Sequence, residues 1–192
     1  MRFLLIPLAI FWAAAPAAAQ TLCDLSNEAR IAEIATGEWI GKSNRSLESE
    51  TLSRLSKDLP ARVTIERRAR GLTINSEFLD SLRGEAFDLN GVDEPYDDEQ
   101  IEAFLEATSN TKVNDQLGNR TCGAFVLPQL QADLPETDGM SASGTVTMIF
   151  YRADIALQLS ELTLKSPETV IFATESAWLT LSDDPAGAST TR

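Results

Sequence analysis

Polar and apolar residues alternate over several short stretches of this chain with the period of two that a half-buried strand requires. Arg62-Val63-Thr64-Ile65-Glu66 is the plainest of them, and beyond Gly71 the residues Leu72 and Ile74 alternate with Thr73 and Asn75. A hairpin over residues 61–77 is predicted, with Gly71 supplying the turn. Residues 38–43 read as an opening strand, and residues 86–89 as a short one interrupted by Asn90-Gly91. The last third is rich in strands. Residues 145–151 form one apolar run, Ile155, Leu157 and Leu159 begin another, and residues 170–173 and 177–181 follow Pro167. Within the second run the apolar positions shift from odd numbers to the even Leu162 and Leu164, which predicts a bulge or break near Ser160.

Helical spacing is confined to fewer places. Residues 24–36 set Ala29, Ile31, Ala32, Ile34 and Ala35 among charges, with Asp24 or Ser26 available as a cap and Gly37 as the stop. Between residues 97 and 108, Ile101, Phe104 and Leu105 make one stripe, and the acids at 97–99 suit the positive end of the helix dipole. Residues 46–59 are ambiguous, because Leu52, Leu55 and Leu59 have helical spacing in a Ser- and Thr-rich, strand-like composition. Residues 109–121 read as loop, residues 122–127 as a short apolar run stopped by Pro128, and residues 133–143 as a connector.

Helices are too few to supply the crossovers of a parallel sheet. The expected fold is therefore mainly β, an antiparallel barrel or sandwich of seven or eight strands with two short peripheral helices. Trp39, Ile65, Ile74, Phe87, Ile149, Leu157, Phe172, Trp178 and Leu179 are its expected core.

The N-terminus changes the picture of where this fold works. Arg2, the apolar run of residues 3–15 and the small residues Ala17 and Ala19 have the form of a secretory signal peptide cleaved before Gln20. Leu22 before Cys23 does not suit lipoprotein processing. The expected organisation is a signal peptide at residues 1–19, a single β-rich domain at residues 20–183 and a disordered tail at residues 184–192, in a protein exported to the periplasm or beyond. No second apolar run is long enough for a membrane span. In an oxidising compartment the two cysteines, Cys23 and Cys122, are expected to pair as a structural disulfide.

Charge and composition then remove function classes. The chain carries a formal charge of −13, and loss of Arg2 with the leader makes it −14. Such a surface repels phosphate backbones, so nucleic acid is not an expected partner. Histidine is absent. That excludes Ser-His-Asp and Cys-His nucleophile systems and deprives the usual zinc sets of their commonest ligand.

Gly37-Glu38-Trp39, placed after a short helix and at the start of the first strand, resembles the first signature of lipocalin-like barrels. In that family the Trp closes one end of the barrel and the opposite mouth takes an apolar ligand, so the resemblance implies a barrel with Trp39 at one end. The Thr-Asp-Tyr motif of the family does not follow, and the last strand has no Arg. Read without the family, a Trp beside Gly at a strand start is a core residue.

No motif identifies a reaction. Arg54, Lys57, Arg62, Arg67, Arg68 and Arg70 crowd one segment. Arg67, Arg68 and Arg70 are candidates for a docking surface toward an anionic partner, against the plainer reading that they are solvated or meet the protein's own acids. The acidic run from Asp88 to Glu106 fails as an EF-hand loop, since Val92 and Asp93 stand where a ligand and a Gly are needed. An irregular cation site at Asp93, Asp97 and Asp98 stays open beside the reading that these acids serve the helix dipole; no metal or cofactor is expected. Ser109-x-x-Lys112 matches a nucleophile pattern of penicillin-binding enzymes but lacks its companion motifs. Three functions remain: a non-enzymatic binder of a small apolar or lipid-like molecule, an envelope assembly component with a filled barrel, and a small carboxylate-dependent hydrolase whose acids the sequence does not nominate.

Overall fold

The computed structural model describes residues 22–82, 85–118, 120, 122–136, 141–165 and 168–183. The expected leader and tail lie outside the described residues. Eight strands follow one another around a closed barrel: β1 (Gly37–Glu48), β2 (Ser53–Arg68), β3 (Gly71–Ser76), β4 (Phe87–Gly91), β5 (Gln129–Leu134), β6 (Ser141–Arg152), β7 (Ile155–Lys165) and β8 (Val170–Leu181). Every neighbouring pair is antiparallel, and β8 returns to pair with β1. Closure removes the sheet's outer edges, apart from the first half of β2, which pairs with β1 alone.

Among the described residues four short α-helices accompany the strands instead of the expected two. The first, α1 (Glu28–Ala35), is capped by Asn27, whose side chain accepts from the Arg30 N–H, and not by Asp24 or Ser26. It ends where Gly37 takes a positive φ of 146° that a side chain would strain. Ile34 and Ala35 are buried against the barrel end. The second, α2 (Glu77–Leu82), follows β3 directly. The third, α3 (Asp98–Ala107), is the helix legible in the sequence, closed by a capping box between Asp97 and Gln100. After it comes α4 (Val113–Leu117), in a stretch expected to be loop.

Register separates the two faces of the wall. Trp39, Gly41, Ser43, Arg45 and Leu47 on β1 stand opposite Leu181, Leu179, Ala177, Glu175 and Ala173 on β8 and face inward. Ser176 and Trp178 face outward, yet both are buried. The segment carrying α3 and α4 covers them. Thr108 Oγ1 lies 2.6 Å from Ser176 Oγ, Asn110 Nδ2 donates to Ser176 Oγ at 2.8 Å, and Trp178 Nε1 donates to the Thr111 carbonyl at 2.8 Å.

This cover explains the periodicity near Ser160. No register shift occurs there, in pairing with either β6 or β8. Leu157 and Leu159 face outward beneath the helical layer, whereas Leu162 and Leu164 face inward, so the odd-to-even shift records a change in which face is covered. The irregularities fall instead between Ser43 and Arg45 and between Phe150 and Arg152.

Other expectations are corrected in the same terms. Residues 46–59 are the long β1–β2 hairpin, and its Leu52 and Leu55 are exposed. The strand at Phe87 runs through Asn90-Gly91. Residues 129–134 form β5, which the sequence did not announce, so the connector shortens at both ends. Phe172 is not core: it faces outward near the mouth and is 58% exposed. The remaining eight expected core residues are buried.

Cys23 and Cys122 form a disulfide with Cα atoms 6.2 Å apart across 99 residues of sequence. It fastens the segment before α1 to the segment after α4. Restricting so long a loop in the unfolded chain stabilises the fold by about 4 kcal/mol. Replacing both cysteines by serine is expected to lower the unfolding free energy by about that amount in urea denaturation, and reductant to do the same to the parent protein.

Candidate functional site

The barrel interior has two unlike halves. At the α1 end it is filled: Trp39 is fully buried, its Nε1 donates to the Ala35 carbonyl at 2.9 Å, and its ring meets Phe150 edge-on at 5.5 Å. Val63, Ile65, Ile74 and Leu179 complete that packing, with no exposure above 1%. Trp39 thus sits beneath the helix that closes its end of the barrel.

Farther along the same strands the inward positions turn small and polar. Arg45 on β1 is the register partner of Glu175 on β8, which is in turn the partner of Ser160 on β7. Gln158 lies one inward step away, opposite Ala177. The Arg45 Nε and Nη2 atoms approach the same carboxylate oxygen, Glu175 Oε2, at 2.7 and 2.6 Å. The guanidinium also lies over the Phe78 ring, 3.8 Å from its centroid, within the range of a cation–π contact. Gln158 Nε2 donates to Ser160 Oγ at 2.8 Å. Ser43 Oγ is buried without a hydrogen-bond partner.

A cavity of about 240 Å³ opens beside this cluster. Its inner walls are Leu59, Ala61, Val63, Phe78 and the polar groups Arg45, Gln158 and Glu175, while Pro60, Arg62 and Glu77 stand at the rim. The opening has a topological cause. β2 begins at Ser53, but its pairing with β3 starts only at Val63 opposite Ser76, where the chain leaves the sheet as α2. The first half of β2 therefore has α2 beside it in place of a strand, and the wall is interrupted there.

The arginines singled out in the sequence do not gather at this site. Arg67 and Arg68 occupy alternate faces of β2; Arg67 Nη2 lies 3.4 Å from the Ala29 carbonyl on α1, Arg68 pairs with Glu66 at 2.9 Å, and Arg70 is in the exposed β2–β3 turn. Arg62 pairs with Glu38 at 2.8 Å. Of the acids considered for a cation, Asp97 caps α3, Asp98 accepts from Arg120 at 2.6 Å and from the Ala124 N–H at 3.0 Å, and Asp93 is exposed. Among the described residues no three His, Cys, Asp or Glu side chains are grouped to hold an ion.

Both tyrosines belong to the outer layer. Burial and the neighbouring Glu161, whose carboxylate accepts from the hydroxyl at 3.2 Å, push the Tyr96 pKa up to about 12. Burial raises Tyr151 further, against the opposing effect of Arg120, and its hydroxyl has no partner.

The sequence reading missed Arg45, Gln158 and Glu175. A signal existed for Glu175: it alternates with Ala173, Ala177 and Leu179 on a strand whose apolar face must turn inward, so its parity alone places a charge inside. Arg45 lay between the opening strand at residues 38–43 and the ambiguous residues 46–59, and Gln158 beside the expected bulge.

Fold and site together define a closed eight-stranded antiparallel barrel, filled at one end and holding a half-polar side cavity. No protein-family model and no curated protein matches the sequence. Among solved structures, a protein of unknown function of the DUF3598 family from Nostoc punctiforme aligns with a TM-score of 0.42 and 10% identity over 88% of this chain. This chain spans about half of that protein's length, 53%. The S-type phycobiliprotein lyase CPES from Guillardia theta aligns with a TM-score of 0.38 and 9% identity, over 81% of this chain and 93% of its own.

Two measurements follow from the electrostatics. Because the chain has only two tyrosines, absorbance at 295 nm is expected to show almost no phenolate near pH 10 in the folded protein, and half-ionisation near pH 10 in denaturant. The folded state binds these protons more tightly, so their contribution to stability is complete below pH 10; that of Tyr96 disappears as pH rises through about 12, and that of Tyr151 at higher pH still. For the ion pair, Glu175→Ala strands a largely buried guanidinium and is expected to cost about 3 kcal/mol. The double replacement Arg45→Met with Glu175→Leu should recover most of that loss in urea denaturation.

Proposed function

We propose that this chain is an exported, non-enzymatic, lipocalin-like binding protein that takes a small molecule into the cavity between β2 and α2. The observation that carries this reading is the interruption of the barrel wall beside an interior that mixes apolar side chains with buried polar groups. Ligand sites of this kind combine apolar walls with a few placed polar atoms. The signal-peptide pattern and the disulfide support export.

Size refines the ligand. An apolar cavity of about 150 Å³ accommodates benzene, so the 240 Å³ here fits a one-ring molecule or a short chain. A longer lipid-like molecule would have to leave most of its tail outside the wall.

The test is saturable binding of a one-ring probe such as toluene or benzamide, followed by amide resonances of Ala61, Phe78 and Gln158. Ala61→Phe fills the cavity and is expected to weaken binding at least about tenfold while the barrel still folds. Retained affinity in that variant would remove the cavity from the account.

A second reading, an envelope assembly component that works from its surface, draws on the solid Trp39 half and on Leu55, Val170 and Phe172, which are 43%, 40% and 58% exposed on strands near the mouth. Salt-insensitive capture of one envelope protein, abolished by Phe172→Ser, is its expected signature.

A further inference from the structure

Building on the small-molecule reading, we infer that the cavity selects a neutral ligand bearing N–H donors, such as a carboxamide or urea group on a one-ring apolar body. The polar wall leaves two acceptors without a protein partner beside the Arg45 guanidinium. Both Arg45 nitrogens that reach Glu175 converge on Oε2, so Oε1 has no protein partner although the residue is only 3% exposed and lines the cavity. Gln158, 2% exposed, spends its Nε2 on Ser160 and leaves its carbonyl oxygen without a partner on the same wall. Two acceptors without protein partners on one cavity wall reward a ligand that brings N–H groups over one that displaces their water without replacing its hydrogen bonds.

Charge sets the second half of the preference. Arg45 and Glu175 already neutralise each other, and the rim repeats the balance with Arg62 and Glu77 at 3.8 Å. A cationic ligand would add an uncompensated charge beside Arg45, and an anionic one would meet the free oxygen of Glu175. Either ion would lose its hydration without gaining a counter-charge. A neutral amide avoids both penalties, while Leu59, Ala61, Val63 and Phe78 receive its body.

Four probes of one size separate these terms: benzamide, toluene, benzylamine as its ammonium ion, and benzoate, each titrated into the mature disulfide-bonded protein and read from amide shifts. Benzamide is expected to bind about tenfold tighter than each of the others. Gln158→Leu should lower benzamide affinity about tenfold and leave toluene unchanged. Glu175→Gln frees the Arg45 guanidinium, so benzoate should gain about tenfold while benzamide loses. If that variant does not fold, Gln158→Leu carries the test alone. Benzamide binding no tighter than toluene, or benzylamine binding tightest, overturns the inference while leaving a small-molecule site standing. If none of the four binds, the small-molecule reading itself fails and takes the inference with it.

Discussion

The seam between β1 and β8 is the constraint on which the rest of the barrel depends. Seven of the eight strand pairs join neighbours in the chain; this one joins residues 39–48 to residues 172–181, nearly the full length of the domain. Its loop-closure entropy is the largest in the fold, and it forms only when the other pairs have curved the sheet far enough to bring its ends together. Arg45 and Glu175 face each other directly across this seam. Slipping the register by one residue would turn Arg45 outward and leave Glu175 buried without a counter-charge, an arrangement far costlier than the pair itself is favourable. The ion pair therefore adds little net stability and much penalty against wrong closure.

The same seam divides the interior. On one side of Ser43 the inward residues are Trp39 and Gly41, and Gly41 is so close to β8 that a Cβ there would collide with the Trp178 carbonyl. Tight approach of strands and large rings leave no room at that end. Across β2 and β3, Ala61 in register with Gly41 and Ser76 in register with Val63 face inward where bulkier side chains would fill the space, and α2 follows in place of a strand. A filled half and an open half follow from the order of large and small residues along a few strands.

That order was partly legible. Short apolar segments located β1, β4, β6 and β8, and period-two alternation located the 61–77 hairpin and the start of β7, because one covered face and one wet face produce it. It failed where both faces are covered, at Leu157 and Leu159, and where neither face is strongly apolar, as in the first half of β2. β5 was hidden because Gln129 and Gln131 face outward beneath other segments, and Gln129 is itself buried by hydrogen bonds to the Tyr96 and Ala124 carbonyls. Phe172 was assigned to the core on hydrophobicity, although its even position on β8 put it on the outer face. The site escaped notice because its chemistry has no local motif: Arg45 and Glu175 are 130 positions apart, and only barrel closure makes them neighbours.

The outer layer bears on the site through rigidity. Between the adjacent strands β4 and β5 the chain makes its longest excursion, carrying α3 and α4 across the outside of β6, β7 and β8, and the disulfide ties the end of that excursion to the segment before α1. β7 and β8 are consequently buried on both faces through their central residues. Gln158 and Glu175, which supply the free acceptors, stand on those two strands and are held by packing from inside and outside. Leu59, Ala61 and Phe78 stand on the first half of β2 and on α2, where no second layer covers the wall and strand pairing has lapsed. On the proposed binding function, the polar atoms that would have to keep their spacing are on the side held by two layers, and the apolar wall through which a ligand would enter is on the side with fewer strand pairings.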